Sequence, residues 1–98
     1  MSKIHDTEIS KLVDQLCSET GLERKKARKA LVSKGKMSIP YLSKLLDYNK
    51  HIHRWEAIKT MEEIGDPDSL QYFIKALDDN KSDVRWIAAK GLIKLGFQ

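Results

Sequence analysis

Apolar residues recur along the chain with the three- and four-residue spacing of amphipathic helices. The last such stripe contains Val84, Ala88, Leu92 and Leu95, and Gly96 follows it directly. This spacing places one face of a helix in a core, and a glycine just beyond it commonly ends the helix. No segment keeps the strict apolar and polar alternation typical of a strand. The pattern predicts an all-α fold with helices over residues 6–18, 21–34, 39–48, 52–64, 69–78 and 83–95.

The chain contains an internal repeat. When the sequence is shifted by 31 residues, 39–65 aligns with 70–96, and eleven of the 27 aligned pairs are identical. A fainter copy lies 30 residues upstream. Each unit contains two helices joined by a short connection, so we expect antiparallel helix pairs that share one continuous core. The identical pairs are Tyr41/Tyr72, Lys44/Lys75, Leu46/Leu77, Asp47/Asp78, Asn49/Asn80, Lys50/Lys81, Arg54/Arg85, Trp55/Trp86, Ala57/Ala88, Lys59/Lys90 and Gly65/Gly96.

The second helix of each unit carries its own apolar stripe. The spacing of this stripe predicts that helices 39–48 and 69–78 each bury one face. The expected buried residues are Ile39, Leu42, Leu45 and Leu46 in the first of these helices, and Leu70, Phe73, Ile74 and Leu77 in the second.

Residues 47–77 and 78–96 resemble the HEAT repeat, most closely the short variety found in phycocyanobilin-lyase-like proteins. The resemblance is carried by an aspartate before a short turn, a Val-Arg pair, an Ala-Ala pair, Leu-Gly and an Asp-Pro turn. It implies a right-handed α-solenoid and a scaffold that binds other macromolecules. We expect one domain over 1–98: a capping helix at 6–18, repeats at 20–49 and 50–80, and a half repeat at 81–98.

The second helices are expected to line the concave face of such a solenoid. At 100° per residue, one group of side chains lies away from the apolar stripe, and it is the same group in both repeats. Rigid amphipathic rings beside cations suit recognition of a peptide or of stacked bases. Alternatively, the tyrosines pack against neighbouring helices and the lysines only solubilise the face. This predicted ridge comprises Tyr41, Lys44, Tyr48, Tyr72 and Lys75.

Arginine recurs at equivalent positions, Arg24, Arg54 and Arg85. Asp47 lies seven residues before Arg54, and Asp78 lies seven residues before Arg85. The HEAT resemblance implies that this aspartate and arginine connect neighbouring repeats, because a guanidinium can bind a carboxylate through two parallel hydrogen bonds. A phosphate-binding ladder is the alternative interpretation.

Most of the positive charge lies between Leu22 and Lys36, where seven basic residues face a single acid, Glu23. Such a run indicates a nucleic-acid or acidic-partner patch. The cations spread around more than half of the helix, which is more typical of a solvated surface than of one aimed stripe. The candidate patch comprises Lys25, Lys26, Arg28, Lys29, Lys34 and Lys36.

Trp86 and Ile93 form a second apolar stripe on the final helix, and Trp86 aligns with Trp55. An interior unit has neighbours on both sides, so Trp55 is expected to be packed. Trp86 and Ile93 are a candidate terminal interface. Dimerisation through this end is one expectation, and the chain is predicted to be a monomer or a weak homodimer.

Composition narrows the function classes. The 98 residues carry 18 Lys and Arg against 14 Asp and Glu, a net charge of +4, and one cysteine, which allows no internal disulfide. Neither a membrane span nor a signal peptide is expected, so we predict a cytoplasmic protein. The sequence holds no catalytic motif and no set of residues with metal-ligand spacing. We predict a non-catalytic module without metal or cofactor, whose partner is another protein. Nucleic acid is the first alternative, and an auxiliary subunit of a lyase or modifying enzyme is the second.

Overall fold

The computed structural model describes residues 2–97, with side chains from residue 7 onward. No strand occurs among these residues, as the apolar spacing predicted. Short 3₁₀ turns flank α3 on both sides and precede α5, so each predicted second helix is shorter than expected. The helices are α1 (Ser2–Leu16), α2 (Gly21–Lys34), α3 (Ile39–Ser43), α4 (His51–Ile64), α5 (Leu70–Ala76) and α6 (Ser82–Lys94).

The helices stack in two layers. In the first layer α4 packs between α2 and α6. In the second layer α3 packs on α4, and α5 packs on α6. Helix α1 packs on α2 and touches α3, so it occupies the place that a second helix of a preceding pair would take. The result is a short helical solenoid with extents of 38 × 27 × 20 Å.

Glycines end three helices at the positions that the sequence predicted. The backbone of Gly96 has a φ of 99°, which L side chains rarely adopt. Its amide donates to the Ile93 carbonyl at 2.9 Å, and the amide of Phe97 donates to the Leu92 carbonyl at 3.0 Å. These two bonds form a Schellman motif, which terminates α6 and turns Phe97 back towards it.

The core runs along the contact between the two layers. Leu31, Leu42, Met61 and Phe73 are all fully buried there. The predicted apolar face of the second helices is only partly correct. Its departures lie in and just after α5, where Ile74 is 54% exposed and Leu77 is 39% exposed, because no further helix packs against them among the described residues.

The tightest contact between α5 and α6 involves Phe73 and Gly91. A Cβ atom built on Gly91 would lie 2.5 Å from the Phe73 ring, well inside any ordinary contact distance. One repeat earlier, Leu42 and Thr60 occupy the aligned positions, a smaller apolar residue with a larger partner. The absence of a side chain at position 91 therefore makes room for the phenyl ring.

Gly91→Ala tests this contact. Alanine favours a helix interior over glycine by about 1 kcal/mol, yet we expect a net loss of about 1–3 kcal/mol from the overpacked core. Leucine is the residue at the aligned position of the previous repeat. In a Phe73→Leu background, Gly91→Ala is therefore expected to cost less stability than it does in the original protein. Urea unfolding followed by circular dichroism measures both effects. A Gly91→Ala protein as stable as the original would contradict the packing described.

Candidate interaction surface

The three recurring arginines bind the turn that precedes their own helix. Arg24 donates through one terminal nitrogen to the carbonyls of Ser18 and Glu19, at 2.8 and 3.1 Å. Arg54 donates in the same way to Tyr48 and Asn49, at 2.8 and 2.9 Å.

Arg85 donates to the Asp79 carbonyl, six residues before it, at 2.8 Å. The carbonyls of a turn between two helices lack partners within either helix, so these bonds satisfy them. The recurrence in the sequence identified the arginines. It could not identify their partners, because a backbone carbonyl has no residue type.

Two of the arginines also reach a carboxylate further along the chain. Arg24 Nε donates to Glu56 at 3.2 Å, and Glu56 is 3% exposed. Arg54 donates to both carboxylate oxygens of Asp79, at 2.7 and 3.1 Å. Each pair joins a first-layer helix to a later part of the stack.

The expected acidic partners, Asp47 and Asp78, are not the ones observed. Asp79 binds Arg54 instead, because its carboxylate also accepts from the amide of Lys81 at 2.9 Å and is thereby held facing α4. Asp47 is exposed and binds Lys75. Asp78 lies exposed in the turn that follows α5, so the aligned aspartates do not share one structural role.

Two buried or nearly buried carboxylates are kept ionised by cations. A hydrogen bond from Arg54 is the main cause that lowers the pKa of Asp79, against the opposing effect of burial. Burial alone would raise the pKa of Glu62, but hydrogen bonds from Lys94 and Lys59 outweigh it and lower the pKa. The Lys94 bond crosses from α6 to α4 and measures 2.7 Å.

The basic run on α2 divides into two groups. Arg28 points inward: it binds Glu56 at 2.7 Å and lies over the ring of Trp55 at 5.7 Å. Lys34 pairs with Glu8 of α1. These two cations hold helices together and are removed from any surface patch. The remaining members are exposed, and they are Lys25, Lys26, Lys29 and Lys36.

The ridge predicted on the second helices lies beside three open grooves. Tyr48 and Lys75 line the largest, of about 580 Å³, which we call the Tyr48 groove. Tyr72 lines the Tyr72 groove, of about 440 Å³. Tyr41 and Lys44 line the Tyr41 groove, of about 490 Å³. The ridge residues thus follow one side of the solenoid but do not form a single pocket.

Sequence reasoning missed several residues that line these grooves. Pro40 lies between the Tyr41 and Tyr72 grooves and lines both. Met37, which is 47% exposed, adds an apolar wall to the Tyr41 groove. Asn49 and Asn80 line the Tyr48 groove, and their pairing between repeats was the available signal.

The ridge side chains are partly held in place. Lys75 of α5 binds Asp47, just after α3, at 2.9 Å, which ties the two second helices together across the Tyr48 groove. The ammonium of Lys44 lies 5.9 Å from the centre of the Tyr41 ring. Tyr48 meets His53 edge to face at 5.6 Å and is 47% exposed. Aromatic rings fixed in this way lose little conformational freedom on binding a partner.

The two tryptophans differ in exposure. Trp55 is partly buried against the core, whereas Trp86 is 65% exposed and Ile93 is 63% exposed. The two exposed side chains form an apolar strip on the outer side of α6. No described residue lies over this strip as Arg28 lies over Trp55.

Comparison with known proteins decides between helical families. A family model for HEAT repeats matches residues 9–93. The chain belongs to the HEAT repeat family. A search of curated proteins returns no match. HEAT repeats are generally protein-interaction modules, and the helix stack with its exposed second-helix side is the structure expected of one.

Two other features are absent from the described part of the chain. No three or more His, Cys, Asp or Glu side chains there come together in a group able to hold a metal ion. None of the helices described combines the length and the hydrophobicity that crossing a membrane requires.

Exchanging arginine for lysine separates the two kinds of bond. Arg54→Lys removes both the carbonyl bonds and the two-oxygen grip on Asp79, so we expect a loss of about 1–3 kcal/mol in the free energy of unfolding. Arg85→Lys is the matched control, since Arg85 makes a single described bond. Its loss is expected to stay below about 1 kcal/mol. Equal losses in the two variants, measured by urea unfolding, would show that the carboxylate bond adds nothing.

Acid is expected to destabilise the stack through Glu62 and Asp79. Their folded pKa values lie below the ordinary 4.5 and 3.8, so the unfolded chain takes up protons first as the pH falls. Their contribution is complete above about pH 5 and disappears as the pH falls through the folded pKa values. Thermal unfolding between pH 3 and about pH 7 measures the effect. Glu62→Gln and Asp79→Asn should each flatten the acid slope; an unchanged slope would contradict the assignment.

Proposed function

We propose that this HEAT repeat protein is a non-catalytic adaptor that binds another protein through the side of the solenoid formed by α3 and α5. The observation that carries the proposal is the alignment of grooves: every ridge residue lines one of the three grooves on that side.

The grooves favour an extended or loop-like protein segment. Two of them share Pro40, and Tyr72 and Lys75 lie one turn apart on α5, so a segment can pass from one groove to the next. Tyrosine is enriched among residues that dominate binding energy, because a large ring buries much area at a small entropic cost. Lys44 and the two asparagines supply polar contacts along the same path.

A displayed library of random peptides tests the proposal without knowledge of the natural partner. Peptides selected on the full chain are expected to bind through the ridge. Tyr48→Ala combined with Lys44→Ala should lower the affinity for these peptides by at least about tenfold, since a tyrosine at the centre of an interface commonly contributes about 2 kcal/mol or more to binding. Both side chains are exposed, so the fold should survive, and circular dichroism checks this.

Lys25→Ala combined with Lys29→Ala is the matched control on the first layer. It removes exposed side chains of α2 and is expected to change affinity by less than about twofold. If the control abolished binding and the ridge variant did not, the proposed surface would be wrong.

Nucleic acid is the competing partner class. The loss of Arg28 and Lys34 to internal ion pairs leaves four exposed lysines, a smaller footprint than the sequence indicated. Fluorescence anisotropy with labelled DNA and RNA at two salt concentrations distinguishes the classes. Tight binding that weakens steeply with salt and depends on Lys25 and Lys29 would favour phosphate recognition over the adaptor role.

Two further expectations belong to the same proposal. Within the HEAT family we place the chain nearest the short phycocyanobilin-lyase-like repeats, on the motif of residues 78–96. A pigment or substrate bound tightly to the purified protein would support the alternative of an auxiliary subunit of a lyase or modifying enzyme. The adaptor role predicts that none copurifies. We also propose that the protein acts in the cytoplasm, on the sequence expectations alone.

A further inference from the structure

The outer side of α6 is an apolar strip with a defined spacing. Trp86, Ala89 and Ile93 follow one another at intervals of three and four residues, the spacing of a seam between two packed helices. The outer two are 65% and 63% exposed, and Ala89 between them is small. A small residue at the middle of such a seam permits close approach of a second helix.

Aligned residues of the two repeats differ in exposure according to whether another helix packs against them. Leu46 is 9% exposed within the stack, whereas its aligned residue Leu77 is 39% exposed. Glu62 is 4% exposed and is bound by Lys94 of the following helix α6, whereas its aligned residue Ile93 is 63% exposed. The end of the solenoid formed by α5 and α6 therefore keeps apolar residues at positions that are covered inside the stack.

We propose that this strip is covered by the same strip of a second copy of the chain, with the two α6 helices antiparallel about a twofold axis. The axis passes between Ala89 and Lys90, midway between Trp86 and Ile93. Each Trp86 then packs on the Ile93 of the other copy, so both exposed apolar residues are buried by one self-complementary contact. This inference concerns a different surface from the proposed adaptor site and leaves the three grooves open.

Charge favours the antiparallel arrangement. Helix α6 has an acid, Asp83, in its first turn and a base, Lys94, in its last turn. Antiparallel helices bring each acidic first turn towards the basic last turn of the other copy. A parallel pair would instead bring the two acidic first turns together at one end and the two basic last turns together at the other.

Head-to-tail stacking is disfavoured by the other end of the first layer. There α2 exposes Lys25, Lys26 and Lys29, which would oppose the positive Arg85 and Lys90. Such stacking would also continue without limit, whereas the twofold contact closes at a dimer.

Mass measured against concentration tests the proposal. The mass of the full chain, measured by sedimentation at increasing concentration, is expected to rise from 11.3 kDa to twice that value and no further. We expect half of the chains to be dimeric at a concentration between about 1 µM and 1 mM, the range of small transient interfaces. Trp86→Lys or Ile93→Lys should weaken association by at least about tenfold. Leu22→Lys is the matched control, since Leu22 is equally exposed, at 61%, on α2. A monomer at every concentration, or growth beyond a dimer, would overturn the proposal.

Crosslinking tests the position of the axis independently of affinity. Ala89→Cys in a Cys17→Ser background places two thiols beside the axis, so a short bismaleimide should join two chains in high yield. Lys25→Cys in the same background controls for random collision. Equal yields from the two variants would overturn the antiparallel α6 contact even if a dimer forms.

Discussion

The guanidinium of Arg54 bonds the two carbonyls of the turn behind it and the carboxylate of Asp79 ahead of it. The same side chain therefore fixes the turn between α3 and α4 and the approach of the α5–α6 turn. Arg24 does the same at the previous level with Glu56. Because a planar guanidinium presents its donors in a fixed fork, these bonds restrict the orientation of each turn relative to the carboxylate ahead of it.

The rest of the stack depends on that orientation. It allows Glu56 to lie buried between Arg24 and Arg28, and it brings Lys94 of α6 within reach of Glu62 on α4. Helices α3 and α5 both lie in the second layer, beside the three grooves. Among the described residues, the buried ion pairs join α2 to α4 and α4 to the turn before α6, whereas the pair that links the two second helices directly, Lys75 with Asp47, is exposed.

The sequence predicted the fold well and the site only partly. Periodicity and the 31-residue repeat predicted the helices, because burial of one face is a property of local spacing. The choice of Asp79 over Asp78 depends on an amide of the next turn, and the inward orientation of Arg28 depends on Glu56, 28 residues further along the chain; neither has a local signal. The exposure of Ile74 and Leu77 depends on the absence of a packed neighbour, which an apolar stripe cannot show.

A double-mutant cycle on Arg54 and Asp79 tests most directly whether this arginine couples neighbouring parts of the stack. The two side chains are 13% and 10% exposed, so Arg54→Ala and Asp79→Ala should show a coupling energy of at least about 1 kcal/mol in urea unfolding. The exposed pair Lys75 and Asp47 serves as the reference and should couple by less than about 0.5 kcal/mol. A coupling between Arg54 and Asp79 no larger than that of the reference pair would contradict the account.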